Sequence, residues 1–167
     1  MGGSKIFQIV GYQNSGKTTL MEKLIKSGNE RGLRVGTIKH HGHGGPLDHP
    51  NPNKDSKRHT LAGSVISSVA GDDSLLIEAT GNNWKFEEII HIYHHFGLDL
   101  ILVEGYKKSS YPKAVLIRNE EDLYLLEKLN NIKAVISWIP IETNHRVFLQ
   151  KQLDEFVDFF YHCFFFD

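Results

Sequence analysis

Hydrophobic residues fall along this chain in two alternating rhythms. Ile6-Phe7-Gln8-Ile9-Val10 is a short run of β-branched and aromatic residues, which predicts a buried strand. From Thr19 to Arg31 the spacing lengthens: Leu20, Met21, Leu24 and Ile25 recur at helical intervals, with Gly28 and Gly32 near the exit. Arg34 to Lys39 reads as a second strand. His40 to Lys54, dense in Gly, His, Pro and Asn, reads as a long loop of the kind that is functional or disordered. Asp55 or Ser56 can then cap a short helix running through Arg58 and Leu61 to Ala62-Gly63.

Ser64 to Ala70 and Ser74 to Ala79 predict a hairpin around Gly71-Asp72-Asp73. Trp84 to Phe96 is amphipathic, with Phe86, Ile89, Ile90 and Tyr93 toward the core and Gly97 as its stop. Asp99 to Glu104 is the clearest buried strand, followed by a strand at Lys113 to Arg118 and a short helix from Glu120 to Leu129. Ile132 to Trp138 predicts another strand, and Val147 to Phe164 a closing helix with Leu149, Leu153, Phe156 and Phe160 as its core stripe. Strands alternating with helices imply an α/β fold in three layers. Its central sheet is mostly parallel and covered on both faces, with the hairpin as an antiparallel insertion.

Composition narrows this only a little. At 167 residues, 40% hydrophobic and 23% charged, the chain suits one soluble domain over residues 1–167. A net charge of −1 gives no basic field for nucleic acid or an anionic membrane, and no apolar run reaches membrane-span length. The lone Cys163 excludes an internal disulfide and suits a reducing cytoplasm.

The chemistry lies between the first strand and the first helix. Gly11-Tyr12-Gln13-Asn14-Ser15-Gly16-Lys17-Thr18 reads G-x-x-x-x-G-K-T, a P-loop, in the strand–turn–helix context that the motif requires. Gly11 and Gly16 let the backbone wrap, so that N–H groups of Gln13, Asn14, Ser15 and their neighbours through Thr19 converge on an anion at the helix's positive end. Lys17 brings a point charge to the outer phosphates, and the Thr18 hydroxyl can reach a bridging Mg²⁺. This is a nucleotide-phosphate site.

A parallel sheet delivers ligands to the carboxyl ends of its strands. Asp99 begins its strand and Glu104 ends it, roughly 16 Å further on at ~3.3 Å per residue. Glu104 alone can therefore face the phosphates and hold Mg²⁺, directly or through water, in the place of a Walker-B aspartate. The histidines His40, His41, His43, His49 and His59 crowd one region but lack the tight Cys/His spacing of a structural zinc site, and suit an anion or a pterin better. His91, His94 and His95 lie on a helix beside apolar residues and read as surface or satisfied core groups. The guanine-reading N-K-x-D motif is missing; Asn53-Lys54-Asp55 is one position short.

The P-loop, Lys39-His40-His41, Lys54-Asp55-Ser56-Lys57-Arg58-His59 followed by Ala62-Gly63, and Glu104-Gly105-Tyr106-Lys107 stand in an order that resembles MobB, the molybdopterin-guanine dinucleotide biosynthesis adaptor family. The resemblance runs from Ile6 to about Arg118. It implies a GTP-binding accessory protein of molybdenum cofactor maturation, with feeble GTPase activity. Its partner would be the MobA-type nucleotidyltransferase that attaches GMP to molybdopterin. It also implies that Gly11 to Thr18 hold the phosphates and that Thr18 with Glu104 hold Mg²⁺. Asp55, Ser56, Arg58 and His59 would lie near the nucleotide or the molybdopterin phosphate. Preference for GTP rests on this resemblance. The rival readings are a small-molecule kinase or ligase of the same fold using ATP or GTP, and a binding adaptor without turnover.

The resemblance implies a homodimer as well, and the hairpin offers an edge for it. Val65, Val69, Leu75 and Ile77 give it apolar faces, and neither strand carries the proline or lysine that usually guards against edge pairing. The Phe-rich closing helix is the alternative interface.

Overall fold

A computed structural model of the chain describes residues 3–42, 55–81 and 83–166. The chain divides into two compact units, Met1–Gly42 with Ile90–Asp167, and His43–Ile89. The larger is built on a six-stranded sheet ordered β2-β5-β1-β6-β7-β8, in which every pair is parallel. Its strands are β1 (Lys5–Val10), β2 (Val35–Lys39), β5 (Leu100–Glu104), β6 (Lys113–Ile117), β7 (Ile132–Ser137) and β8 (Val147–Leu149).

Side chains alternate across a pleated strand, so each strand feeds two cores. On one face Phe7, Ile9, Leu102, Leu116 and Ile136 pack against Leu20 and Leu24 of α1 (Lys17–Glu30) and Phe156 and Phe160 of α5 (Leu153–Phe160). On the other, Val10, Val115, Ile117 and Val135 meet Leu125 of α4 (Tyr124–Lys128). Side chains of this size are each worth about 1.5–3 kcal/mol when fully buried. The near-continuous apolar runs of β5 and β6 follow from cover on both faces.

The smaller unit holds α2 (Asp55–Leu61) and the antiparallel pair β3 (Ile66–Ala70) and β4 (Leu75–Ala79). The pair is closed by a turn in which the Gly71 amide donates to Ser74 O at 2.8 Å. The boundary between the units falls within α3 (Phe86–His94). Phe86 and Ile90 of α3 are buried, Ile89 and Tyr93 half-buried, and His91 and His94 exposed. No helix among the described residues is long and apolar enough to cross a membrane.

One expectation is corrected. The closing helix does not begin at Val147: Val147–Leu149 is the sixth strand, paired in parallel with Val135–Ser137. Helical spacing extended backward from Leu153 captures Leu149, but Phe148, out of phase with it, is the buried side chain. The helix starts only after a 3₁₀ turn, where Gln152 Oε1 accepts from the Leu149 amide at 2.9 Å. A three-residue strand is too short to show a period of its own. Similarly, the helix expected over Glu120–Leu129 opens with a 3₁₀ turn at Glu120–Leu123 before α4.

Candidate functional site

The chain runs from β1 toward β2 and β5 on one side, then to β6, β7 and β8 on the other. Where that order reverses, the carboxyl ends of the strands leave a crevice. Gly11 to Gly16 turn there between β1 and α1. Asn14 (φ 60°) and Gly16 (φ 89°) both adopt left-handed backbone, as an anion-cradling loop requires. At Gly11 a Cβ would lie 2.7 Å from Ser15 Oγ and 3.1 Å from Leu116 O, so only glycine lets the loop close.

A cavity of about 550 Å³ opens above the loop. It is lined by Gln13, Asn14, Ser15, Gly16, Lys17, Thr18 and Thr19, and brings Glu104 in from β5. The structure thus assembles the loop residues with Glu104, as expected; Gly11 underlies the loop rather than lining the cavity. Asp99 stands at the opposite end of β5, where its carboxylate accepts from the Arg34 amide at 2.7 Å.

Lys17 donates through Nζ to Tyr12 O at 2.5 Å, holding its ammonium over the loop. Burial pushes its pKa below the ordinary lysine value. Glu104 works in the opposite direction, while Lys107 and Lys39 add to the lowering. Burial also lowers Lys107, which lies 3.8 Å over the Tyr12 ring. Such a set of crowded cations is relieved by an anion. Thr18 and Glu104 offer a hydroxyl and a carboxylate, an all-oxygen donor set that fits a hard divalent cation.

Beyond β5 the chain turns through Gly105 (φ 98°) and Tyr106 (φ 50°), with Tyr106 against His40 at 4.4 Å between ring centres. Gln8 Nε2 ties this turn to β1 by donating to Gly105 O and Tyr106 O, at 3.1 and 2.9 Å. Glu104 is thereby fixed relative to the P-loop from both sides.

Asp55, Ser56, Arg58 and His59 stand on α2 of the smaller unit, with Asp55 opening the helix and Arg58 and His59 exposed in its last turn. His43 and His49 lie outside the described residues. Among the described residues, no group of three His, Cys, Asp or Glu side chains could hold a metal ion.

Sequence reasoning missed six lining residues, of which Leu116, Ile136 and Leu153 are apolar and Lys39, Trp138 and Gln150 bring polar or aromatic groups. Lys39, quoted only as part of a motif, ends β2 with its ammonium 3.6 Å from the Glu104 carboxylate. Its signal was its place at the carboxyl end of a parallel strand. Trp138 follows β7 and Gln150 follows β8, so Gln150 could be found only once Val147–Leu149 was recognised as a strand.

The parallel sheet, the wrapped glycine loop and the strand-end carboxylate together define a protein of the P-loop NTPase type. Comparison with known proteins narrows this. The sequence pattern of the family MobB, described as molybdopterin guanine dinucleotide synthesis protein B, matches residues 6–138. A Bacillus subtilis relative described as a "probable molybdopterin-guanine dinucleotide biosynthesis adapter protein" is 39% identical over 141 residues, covering 84% of this chain and 81% of the relative. The molybdopterin-guanine dinucleotide biosynthesis adapter protein of Haemophilus influenzae is 34% identical over 152 residues, covering 90% and 84%. The crystal structure of a MobB homologue from Bacillus stearothermophilus superposes with a TM-score of 0.76 at 39% identity, covering 92% of this chain and 93% of that one. The chain belongs to the MobB family.

Proposed function

We propose that this chain is a GTP-binding accessory protein of molybdenum cofactor maturation, acting in the cytoplasm beside a MobA-type nucleotidyltransferase that attaches GMP to molybdopterin. The observation that carries the reading is the cavity in which Lys17 and Thr18 meet Glu104 above a left-handed glycine loop. Backbone amides of the loop and the Lys17 ammonium bind the phosphates, and Thr18 with Glu104 hold Mg²⁺. The cation, when bound, neutralises phosphate charge. Lys39 holds the Glu104 carboxylate at 3.6 Å, an arrangement suited to balancing charge rather than to activating water, which favours binding with weak GTPase activity. On α2, Asp55, Ser56, Arg58 and His59 are proposed contacts for an anionic ligand, the nucleotide or the molybdopterin phosphate; Arg58 offers the planar fork suited to phosphate.

The chain also pairs with a second copy through the hairpin. Val65, Val69, Leu75, Leu76 and Ile77 stand exposed there, from 46% to 70%. Joining two such edges would satisfy their open backbone groups. The Phe-rich closing helix is the weaker candidate, since Phe156 and Phe160 are already spent on the core of the larger unit.

The test is thermal stability with ligand. GTP with Mg²⁺ at a hundred times Kd stabilises by about 2.7 kcal/mol. For a chain of this size the expected rise in Tm is roughly 5–10 °C. Lys17→Ala should remove most of the rise with little change in the apo Tm, and Glu104→Gln should remove only the part that depends on Mg²⁺. An equal rise in Lys17→Ala overturns the phosphate site; a larger response to ATP than to GTP overturns the base assignment.

A further inference from the structure

The phosphate end of the cavity is accounted for by the P-loop; the other end is not. There the lining changes from glycine and lysine to Ile136, Trp138, Gln150 and Leu153, the carboxyl ends of β7 and β8 and the start of α5. In the sheet β7 lies two strands from β1, beyond β6, so this end of the cavity is built from strands other than the one that carries the P-loop.

Trp138 dominates this end. Trp138 is 48% exposed, a large apolar residue lining the cavity just after the buried end of β7. Its edge lies against the P-loop: a Cβ placed on Gly16 would meet Trp138 Cζ2 at 3.8 Å. The backbone beneath it is fixed. The Trp138 amide donates to Ile117 O at 2.9 Å, continuing the β6–β7 ladder. Ser137 Oγ donates to Ile139 O at 2.6 Å and accepts from the Ile139 amide at 3.3 Å, pinning the turn that follows. The Arg118 guanidinium lies 6.0 Å from the ring centre and constrains the indole further. A half-exposed aromatic held at both backbone and ring is a preorganised platform, and flat heteroaromatic rings are what such platforms bind.

We propose that Trp138 is the surface on which the base of the bound nucleotide stacks. The inference rests on the reading of the P-loop as a nucleotide-phosphate site and extends it to the nucleoside. Stacking accepts either purine, so Trp138 supplies affinity rather than the choice between guanine and adenine. Gln150, exposed at the end of β8, brings an amide with both donor and acceptor to the same end of the cavity.

The experiment separates base from phosphate by titrating the protein calorimetrically with GTP and with inorganic tripolyphosphate, both with Mg²⁺. Trp138→Ala should weaken GTP by roughly 5- to 150-fold, the range seen when an aromatic is taken from under a base. It should leave tripolyphosphate unchanged, and Trp138→Phe should recover most of the loss. In Trp84→Phe protein, where Trp138 is the one remaining tryptophan, GTP should quench the emission and tripolyphosphate should not. Unchanged GTP affinity in Trp138→Ala overturns the inference while leaving the P-loop reading intact. An equal loss for both probes also overturns it, because Trp138 would then only support the loop. A parent protein that binds neither probe overturns the P-loop reading itself.

Discussion

Two stretches of similar composition meet opposite fates. In β1, Phe7, Ile9 and Val10 are at most 1% exposed; in β4, Leu75, Leu76 and Ile77 are 46–58% exposed. Both are short runs rich in branched apolar residues. The difference is cover: β1 lies between β5 and β6 with helices packed on its faces, whereas among the described residues the sheet that holds β4 has two strands. Apolar composition tells that a strand wants burial; topology decides whether the chain itself supplies it. Where it does, the strand anchors the glycine loop; where it does not, the strand stays exposed.

Removing the largest contact on each side is the strongest way to break this comparison. Phe7 packs against Phe160 and Phe164, with ring centres 4.8 and 4.7 Å away. Phe7→Ala should cost about 3–5 kcal/mol in urea unfolding, the usual scale for an aromatic removed from a closed core. Leu75→Ala should cost under about 0.5 kcal/mol at a dilution where the chain is monomeric, as exposed positions do. If a second copy covers the hairpin, the cost of Leu75→Ala grows with protein concentration, and Leu75→Lys lowers the mass seen by sedimentation equilibrium. A parent that is monomeric at micromolar concentration removes the dimer. A Leu75→Ala cost above about 2 kcal/mol at every dilution removes the contrast.

The buried sheet is not held by apolar groups alone, and Lys113 sharpens the point. It is fully buried at the start of β6, and among the described residues no carboxylate is within ion-pairing distance. Its ammonium instead donates to Ser109 O at 2.7 Å, Asn130 O at 2.9 Å and Asn130 Oδ1 at 3.4 Å, joining the loop before β6 to the loop before β7. Burial lowers its pKa. Lys113→Met keeps the length and removes the donor, so buried oxygens lose a partner at about 1–3 kcal/mol. A neutral or stabilising change would mean that the ammonium only fills space.

The candidate site was the most legible part of the chain because its chemistry is local. A G-x-x-x-x-G-K-T loop must follow a strand and open a helix, and it does; Glu104 and Asp99 then differ by their places at opposite ends of one strand, which the sequence already shows. What stayed hidden depends on pairing between distant segments. Lys113 reads as an ordinary polar strand start, since nothing in its neighbours says that two loops will close over it. Trp138 and Gln150 join one cavity only because β8 adds to β7, and three residues carry too little pattern to announce a strand. The hairpin was legible as a hairpin with unguarded apolar faces, and Ile66–Ala70 and Leu75–Ala79 are slightly shorter than expected.

The smallest expected effect tests the buried side of the comparison through pH. Tyr161, in the π-turn that ends the chain's last helix, is fully buried, and its hydroxyl donates to Leu24 O in α1 at 2.6 Å. Gly28 makes room for it, since a Cβ there would lie 2.6 Å from the phenol oxygen. Burial pushes the Tyr161 pKa up to about 12, against the pull of the Arg31 guanidinium 4.6 Å over the ring. An unfolded tyrosine loses its proton near pH 10. Between about 10 and about 12 the unfolded state therefore binds fewer protons than the folded one, so stability from this group is whole below pH 10 and falls as pH rises through that window. One unit into the window the loss is about 1.4 kcal/mol. Tyr161→Phe gives up the hydrogen bond, about 1 kcal/mol at pH 7, and has no proton to lose. Urea midpoints of parent and variant should thus differ at pH 7 and converge near pH 11. A gap that stays constant over that range would mean that the phenol is not sealed from water, and that the packing of α5 on α1 is looser than that of β1 between its neighbours.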